Sequence, residues 1–144
     1  MVTSATWERR ALFLNENWAK LFVRNLFECR TKGYALHEFV VMPDHFHAII
    51  SPIIALERAV QFIKGGFSYR AKKELGSNME VWQRSFSDHR IRDGVDYEKH
   101  VAYVRENPVR ARLENRPEEY LFCSGYPGYK LAPVPECLTA TLSG

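Results

Sequence analysis

The sequence has little cysteine, no long apolar run and no strong excess of either charge, and each shortage closes off a class of protein. Its three cysteines, Cys29, Cys123 and Cys137, are odd in number and widely scattered, so neither a disulfide framework nor a Cys-based metal site fits. The longest mostly apolar stretch, Ala48 to Leu56, contains Ser51 and Pro52 and falls far short of the roughly 20 residues needed to cross a bilayer. The N-terminus lacks the basic region and apolar core of a secretory signal. No internal repeat is present. These shortages predict a reduced, cytoplasmic protein with no membrane partner. What is there, 144 residues of which 46% are apolar and 13% aromatic, suffices for one domain around a continuous core.

The net charge of +3 is unevenly spread. From Arg58 to Arg112 there are 12 Lys/Arg against 7 Asp/Glu, a local +5 (12 − 7), so the remainder carries −2. Tyr69, Trp82 and Phe86 lie among these charges. A basic segment with interleaved aromatics suits a polyanion such as nucleic acid, although a solvated protein face has the same composition.

Periodicity and turn residues predict the elements. Val2 to Trp7 reads as a strand, and Asn15 caps a helix from Glu16 in which Trp18, Leu21, Phe22, Leu26 and Phe27 recur until Lys32 and Gly33 close it. Tyr34 to Met42 and His45 to Ser51 form a hairpin across Pro43-Asp44. Leu56 to Leu75 is a second helix, weakened or bent at Gly65-Gly66. Glu80 to Ile91 is a fourth strand, and Val95 to Asn107 a third helix stopped by Pro108. A short helix or turn follows around Glu118 to Phe122, and Gly and Pro punctuate an irregular tail from Gly125. This order predicts an α+β, ferredoxin-like split βαβ fold: an antiparallel sheet with helices on one face and an added helix toward the C-terminus. Residues 1–122 would form the domain and 123–144 the tail. The second sheet face is left to hold a site.

Along His45-Phe46-His47 the side chains alternate across the sheet, so both imidazoles project from one face about 7 Å apart while Phe46 points into the opposite layer. Two such imidazoles can share a metal ion, or can be ordinary half-buried histidines in hydrogen bonds. On the third helix Asp96, His100, Tyr103 and Asn107 follow at spacings of 4, 3 and 4 and share a polar stripe, opposite an apolar one of Tyr97, Val101 and Val104.

Four strings, Val41-Met42-Pro43-Asp44-His45-Phe46-His47, Trp82-Gln83-Arg84-Ser85-Phe86, Asp88-His89-Arg90-Ile91-Arg92 and Tyr103-Val104-Arg105-Glu106-Asn107-Pro108-Val109-Arg110-Ala111, resemble the single-tyrosine His-hydrophobic-His (HUH) transposases, and most closely the REP-associated tyrosine transposases. The resemblance runs in order from about Val2 to Phe122; the tail beyond has no counterpart in it. It implies that His45 and His47 bind a divalent metal, Mg²⁺ or Mn²⁺, with Asn107 as third ligand, and that Tyr103 on the added helix is the nucleophile. His100 and His89 are the alternative to Asn107 for completing the shell, or would hold the scissile phosphate. Trp82, Arg84, Arg90, Arg92, Arg105, Arg110 and Arg112 become candidate DNA contacts, with Trp82 and Phe86 equally suited to the core and Arg110 to capping the helix.

The implied activity is nicking and rejoining of single-stranded DNA at hairpin-forming repeats of the repetitive extragenic palindrome type, through a 5′-phosphotyrosine. The protein would be bacterial, cytoplasmic and nucleoid-associated when bound to DNA, and could pair as a homodimer. Two other classes compete. A catalytically inactive DNA or RNA hairpin-binding protein would not need both His, Tyr103 and Asn107 in their places. A metal-dependent hydrolase of small phosphoesters would not need an extended basic surface.

Overall fold

Each element forms where the sequence offers a face to bury, and the computed structural model of the chain describes residues 1–142. Strands β1 (Val2–Ala5), β2 (Tyr34–Met42), β3 (His45–Pro52) and β4 (Ser87–Asp88) make one antiparallel sheet in the order β2-β3-β1-β4. Helix α1 (Glu16–Gly33) joins β1 to β2, and α2 (Leu56–Leu75) joins β3 to β4. This interleaving is the expected ferredoxin-like α+β arrangement. Helices α3 (Gly94–Arg110) and α4 (Glu136–Leu142) follow. No helix among the described residues is long and apolar enough to cross a membrane.

Asn15 starts α1 as expected, its side-chain oxygen accepting from the backbone N–H of Asn17 at 2.9 Å and of Trp18 at 3.4 Å. The buried stripes of α1 (Ala19, Phe22, Leu26, Cys29) and α2 (Val60, Ile63, Phe67, Ala71) pack on one sheet face against Leu36, Phe39, Val41, Phe46 and Ala48. Phe22 lies at the centre of an aromatic cluster, 4.8 Å from Phe46, 5.3 Å from Phe13 and Phe67, and 5.7 Å from Trp82 between ring centroids. Gly65-Gly66 does not interrupt α2. A Cβ at Gly66 would stand 3.0 Å from Asn25 Oδ1, so the glycine brings α1 close enough for Asn25 Nδ2 to donate to Ile63 O at 2.9 Å. Gly76, with φ of +66°, then ends α2 in the left-handed conformation.

The second sheet face carries Val40, Met42 and Ile49, which pack with Tyr97 and Val104 of α3, Cys123 and Leu138 of α4. The sheet is therefore covered on both sides, by α1 and α2 on one and by α3 on the other.

Three expectations are corrected. The fourth strand shrinks from 80–91 to Ser87–Asp88, with Trp82 forming only an isolated bridge to Thr6. Side chains hold this segment instead: the Trp82 indole donates to Lys64 O at 2.9 Å, and Lys64 Nζ donates back to Gln83 O at 2.8 Å. Helix α3 runs through Pro108 to Arg110. Proline cannot donate to the Val104 carbonyl one turn back, and the Cys123 thiol does so at 3.7 Å, so the lost bond is replaced from outside the helix. The tail is not irregular throughout. It runs beside β2, with Val41 N donating to Phe122 O, Ser124 N to Phe39 O and Ala132 N to Leu36 O, each at 2.8 Å, and it ends in α4. Tyr129 stacks on Phe27 at 5.5 Å, and Leu138 is buried. The outer edge of β2 is thus covered by the chain itself. Residues 143 and 144, part of the expected tail, lie outside the described residues.

Candidate active site

Alternation along β3 sends Phe46 into the aromatic core and turns His45 and His47 toward α3, with ring centroids 4.9 Å apart. Each imidazole is held through Nδ1. The Asp44 carboxylate, 3.6 Å from the Arg9 guanidinium, accepts from His45 Nδ1 at 2.7 Å. A carboxylate only accepts, so His45 Nδ1 carries a proton, and in the neutral ring the lone pair is then on Nε2. His47 Nδ1 lies 2.6 Å from Thr3 Oγ1, because β1 pairs with β3 in a register that sets Thr3 opposite His47.

His47 is 5% exposed, and its Nε2 has no hydrogen-bond partner among the described residues. Burial, reinforced by His45, Arg110 and the N-terminal ammonium, pushes its pKa down to about 4. The ring is therefore neutral near pH 7.

Helix α3 brings Tyr103 over this pair. Its ring centroid is 5.3 Å from that of His47, and the residue is 41% exposed. Because α3 continues past Pro108, Arg110 folds back over the same ring, its guanidinium carbon 4.6 Å from the centroid and its Nη2 donating to Tyr103 O at 3.0 Å. Asn107 is half-buried one turn beyond Tyr103, and among the described residues no hydrogen bond engages its amide.

A cleft of about 490 Å³ opens beside Tyr103, where Thr3 and His47 meet His89, Asp96 and His100. The rings of His89 and His100 lie 4.8 Å apart. His100 Nδ1 donates to Asp96 O at 2.7 Å and lies 3.3 Å from the Asp96 carboxylate.

The structure separates the candidate DNA contacts into two groups. Arg84, Arg90, Arg92, Arg110 and Arg112 are exposed, and Phe86 is half-buried against the core. Trp82 is corrected to a core residue, 5% exposed, and its ring cannot serve as a platform for bases. Arg105 is engaged by the protein itself, its Nε and Nη2 donating to the two Glu38 carboxylate oxygens at 2.7 and 3.1 Å. Ser124 Oγ also donates to Glu38, at 2.8 Å.

Sequence reading misses Thr3, Glu38 and Ser124. Thr3 is signalled only by the pairing of the first strand with the His strand, a long-range register that periodicity does not carry. Asp44 stands within the motif string, and its role beside His45 follows once the hairpin is closed.

A model of the family described as "Transposase IS200 like" matches residues 2–107. A Haemophilus influenzae protein with the provisional name REP-associated tyrosine transposase is 27% identical over 108 residues, covering 67% of this chain and 61% of its own length. An uncharacterized protein of the same organism is 30% identical over 98 residues, covering 51% of this chain and 54% of its own. The chain thus spans between half and two thirds of these curated relatives. Among solved structures, that of a REP-associated tyrosine transposase bound to a REP hairpin superposes with a TM-score of 0.71 at 23% identity, covering 85% of this chain and 73% of that one. The last likeness concerns the fold. With the family model matching from β1 to Asn107, the chain belongs to the IS200-like transposase family.

Proposed function

We propose that the protein nicks and rejoins single-stranded DNA at hairpin-forming repeats, with Tyr103 as the nucleophile. The observation that carries this reading is the packing of the Tyr103 ring 5.3 Å from that of His47, whose buried Nε2 has no hydrogen-bond partner among the described residues. The residues present fit a divalent cation. Asp44 fixes His45 with its lone pair on Nε2, and Thr3 can accept from His47 Nδ1 to fix the same tautomer. His45, His47 and Asn107, whose amide is otherwise unengaged, would hold the ion; all three are neutral donors that suit Mn²⁺ or Mg²⁺. Such an ion supplies positive charge to the scissile phosphate and to the departing 3′-oxygen.

The remaining chemistry belongs to the chain. The Tyr103 oxygen attacks phosphorus, forming a P–O bond to the phenol as the bond to the 3′-oxygen breaks; the phenol loses its proton and the departing oxygen gains one. The products are a 5′-phosphotyrosine and a free 3′-hydroxyl, and another strand's 3′-hydroxyl can reverse the step without an external energy source. Arg110, stacked on the Tyr103 ring, places permanent positive charge beside the attacking group. Exposed Arg84, Arg90, Arg92 and Arg112 supply further phosphate contacts. The hairpin partner is supported by the solved relative, whose structure holds a REP hairpin. A protein acting on repeats of this kind works on the bacterial nucleoid, in the cytoplasm.

The test incubates the protein with labelled single-stranded DNA from repeats flanking its own gene, with Mn²⁺, and maps any covalent adduct by mass spectrometry. The expected result is one adduct, on Tyr103, absent from Tyr103→Phe, which still binds the hairpin in preference to blunt duplex. An adduct on another residue, or one that persists in Tyr103→Phe, refutes the assignment. Hairpin binding without any adduct in the unaltered protein establishes the inactive binder instead.

A further inference from the structure

Beyond the His45–His47 pair, the cleft contains a second set of donors. The geometry points to a second divalent transition-metal site, of the zinc class, formed by His89, Asp96 and His100, which ties the tyrosine helix to the segment that leads into it. One ring nitrogen or carboxylate oxygen from each of the three lies within 4.8 Å of those of the other two. Donors around a tetrahedral zinc stand about 3.4 Å apart, given bonds of about 2.1 Å. The exposed His89 side chain can close that difference by rotation.

The three residues come to this arrangement ready for a cation. His100 Nδ1 donates to the Asp96 carbonyl at 2.7 Å, so the ring carries its lone pair on Nε2, the tautomer held by an outer hydrogen bond that metal-binding histidines show. Asp96 sits in the first turn of α3, and one of its carboxylate oxygens accepts from Arg92 N at 3.1 Å; this bond holds its pKa below the ordinary carboxylate range. The other oxygen lies 3.3 Å from His100 Nδ1, the protonated ring nitrogen, so it joins a cation held on Nε2 only after the carboxylate turns toward it. The His89 backbone is pinned on both sides, its N–H donating to Met1 O at 2.8 Å and its carbonyl accepting from the Met1 ammonium at 2.5 Å. Two imidazoles and one carboxylate form a three-ligand set with a fourth position for water or a phosphate oxygen, and with no cysteine involved it tolerates zinc, cobalt or manganese.

The consequence is mechanical. Asp96 and His100 lie on the first two turns of α3, and Tyr103 follows within one turn. A cation bridging them to His89 fixes the start of the helix against β4, so that Tyr103 keeps its place over His47. The inference is independent of the chemistry proposed for Tyr103.

Zinc titration of the full chain against a chromophoric chelator tests it. Two equivalents are expected for the unaltered protein, one for His89→Ala and His100→Ala, and one for the double variant His45→Ala/His47→Ala. His89→Ala keeps the backbone bonds that pin residue 89 and so stays folded even if His100→Ala does not. Zinc should also raise the melting temperature of the His45→Ala/His47→Ala variant, and the rise should vanish when His89→Ala is added. Two equivalents retained in His89→Ala, or no zinc bound in the His45→Ala/His47→Ala background, overturn the site. A single equivalent that survives His45→Ala/His47→Ala and disappears in His89→Ala upholds it while removing the metal from the histidine pair.

Discussion

Substituting Arg105 by alanine separates two readings of the same residue. Within the basic segment Arg105 looks like a phosphate contact, yet the structure spends its guanidinium on Glu38, whose side chain is only 7% exposed. Removing it leaves a buried carboxylate with Ser124 Oγ as its remaining side-chain donor. Two charges about 4 Å apart at an effective dielectric of about 20 attract by about 4 kcal/mol. The Arg105 side chain is 46% exposed, so solvent screening reduces this to about half. The expected destabilisation of Arg105→Ala is about 2 kcal/mol, within the range for hydrogen bonds to charged groups. For a domain of this size that lowers the melting temperature by roughly 5–8 °C. Urea unfolding followed by tryptophan fluorescence measures it. Glu38→Gln in the Arg105→Ala background should recover part of the loss, with a coupling of about 1–2 kcal/mol, because the charge left stranded is gone. Unchanged stability in Arg105→Ala, together with weaker hairpin binding and a shallower salt dependence, would show that Arg105 is a DNA contact and that the ion pair contributes nothing.

Three further outcomes are expected. Trp82→Phe loses the donor to Lys64 O and some core volume and should cost about 1–3 kcal/mol in a thermal melt, leaving the hairpin affinity of the folded protein unchanged; a tenfold drop in affinity at full stability would restore Trp82 as a base platform. Thr3→Val removes the oxygen behind His47 and should raise the Mn²⁺ concentration needed for half-maximal nicking by about 10–100-fold; an unaltered Mn²⁺ dependence refutes the orienting role. Ending the chain after Phe122 strips β2 of its covering segment and should produce lower stability and self-association in sedimentation; a monomer with the original melting temperature contradicts the covering role.

The parts legible in the sequence are those governed by local rules. The Asn15 cap, the stripe of α1, the β2–β3 hairpin and the shared face of His45 and His47 all follow from periods of 3.6 and 2 within short windows. What escaped depends on partners far along the chain. Pro108 stops a helix when its neighbour's carbonyl has nowhere else to turn, and only Cys123, arriving from the tail, changes that. Trp82 sits in a polar, basic stretch whose composition suggests solvent, but its ring fills a hole between Phe13, Phe22, Phe46 and Phe67 that no local pattern records. Gly and Pro spacing makes the tail from Gly125 look irregular, since it carries no sign that β2 has an unpaired edge waiting for it. Tyr103 is readable as part of a polar stripe, and its contact with His47 needed the docking of α3 on the free sheet face.

Vectorial synthesis gives that covered edge a further meaning. The hydrogen bonds between Ser124 and Phe39 join residues 85 apart, so β2 leaves the ribosome well before its cover. At about 5–20 residues per second the delay is about 4–17 s, during which another nascent strand could add to the open edge. Glu38, at the irregularity in β2, guards this interval. Until Arg105 and Ser124 emerge, its carboxylate lies bare on the edge, and a strand that added there would have to bury an unpaired charge. The residue that later locks the tail in place first repels the neighbours that would take the tail's position.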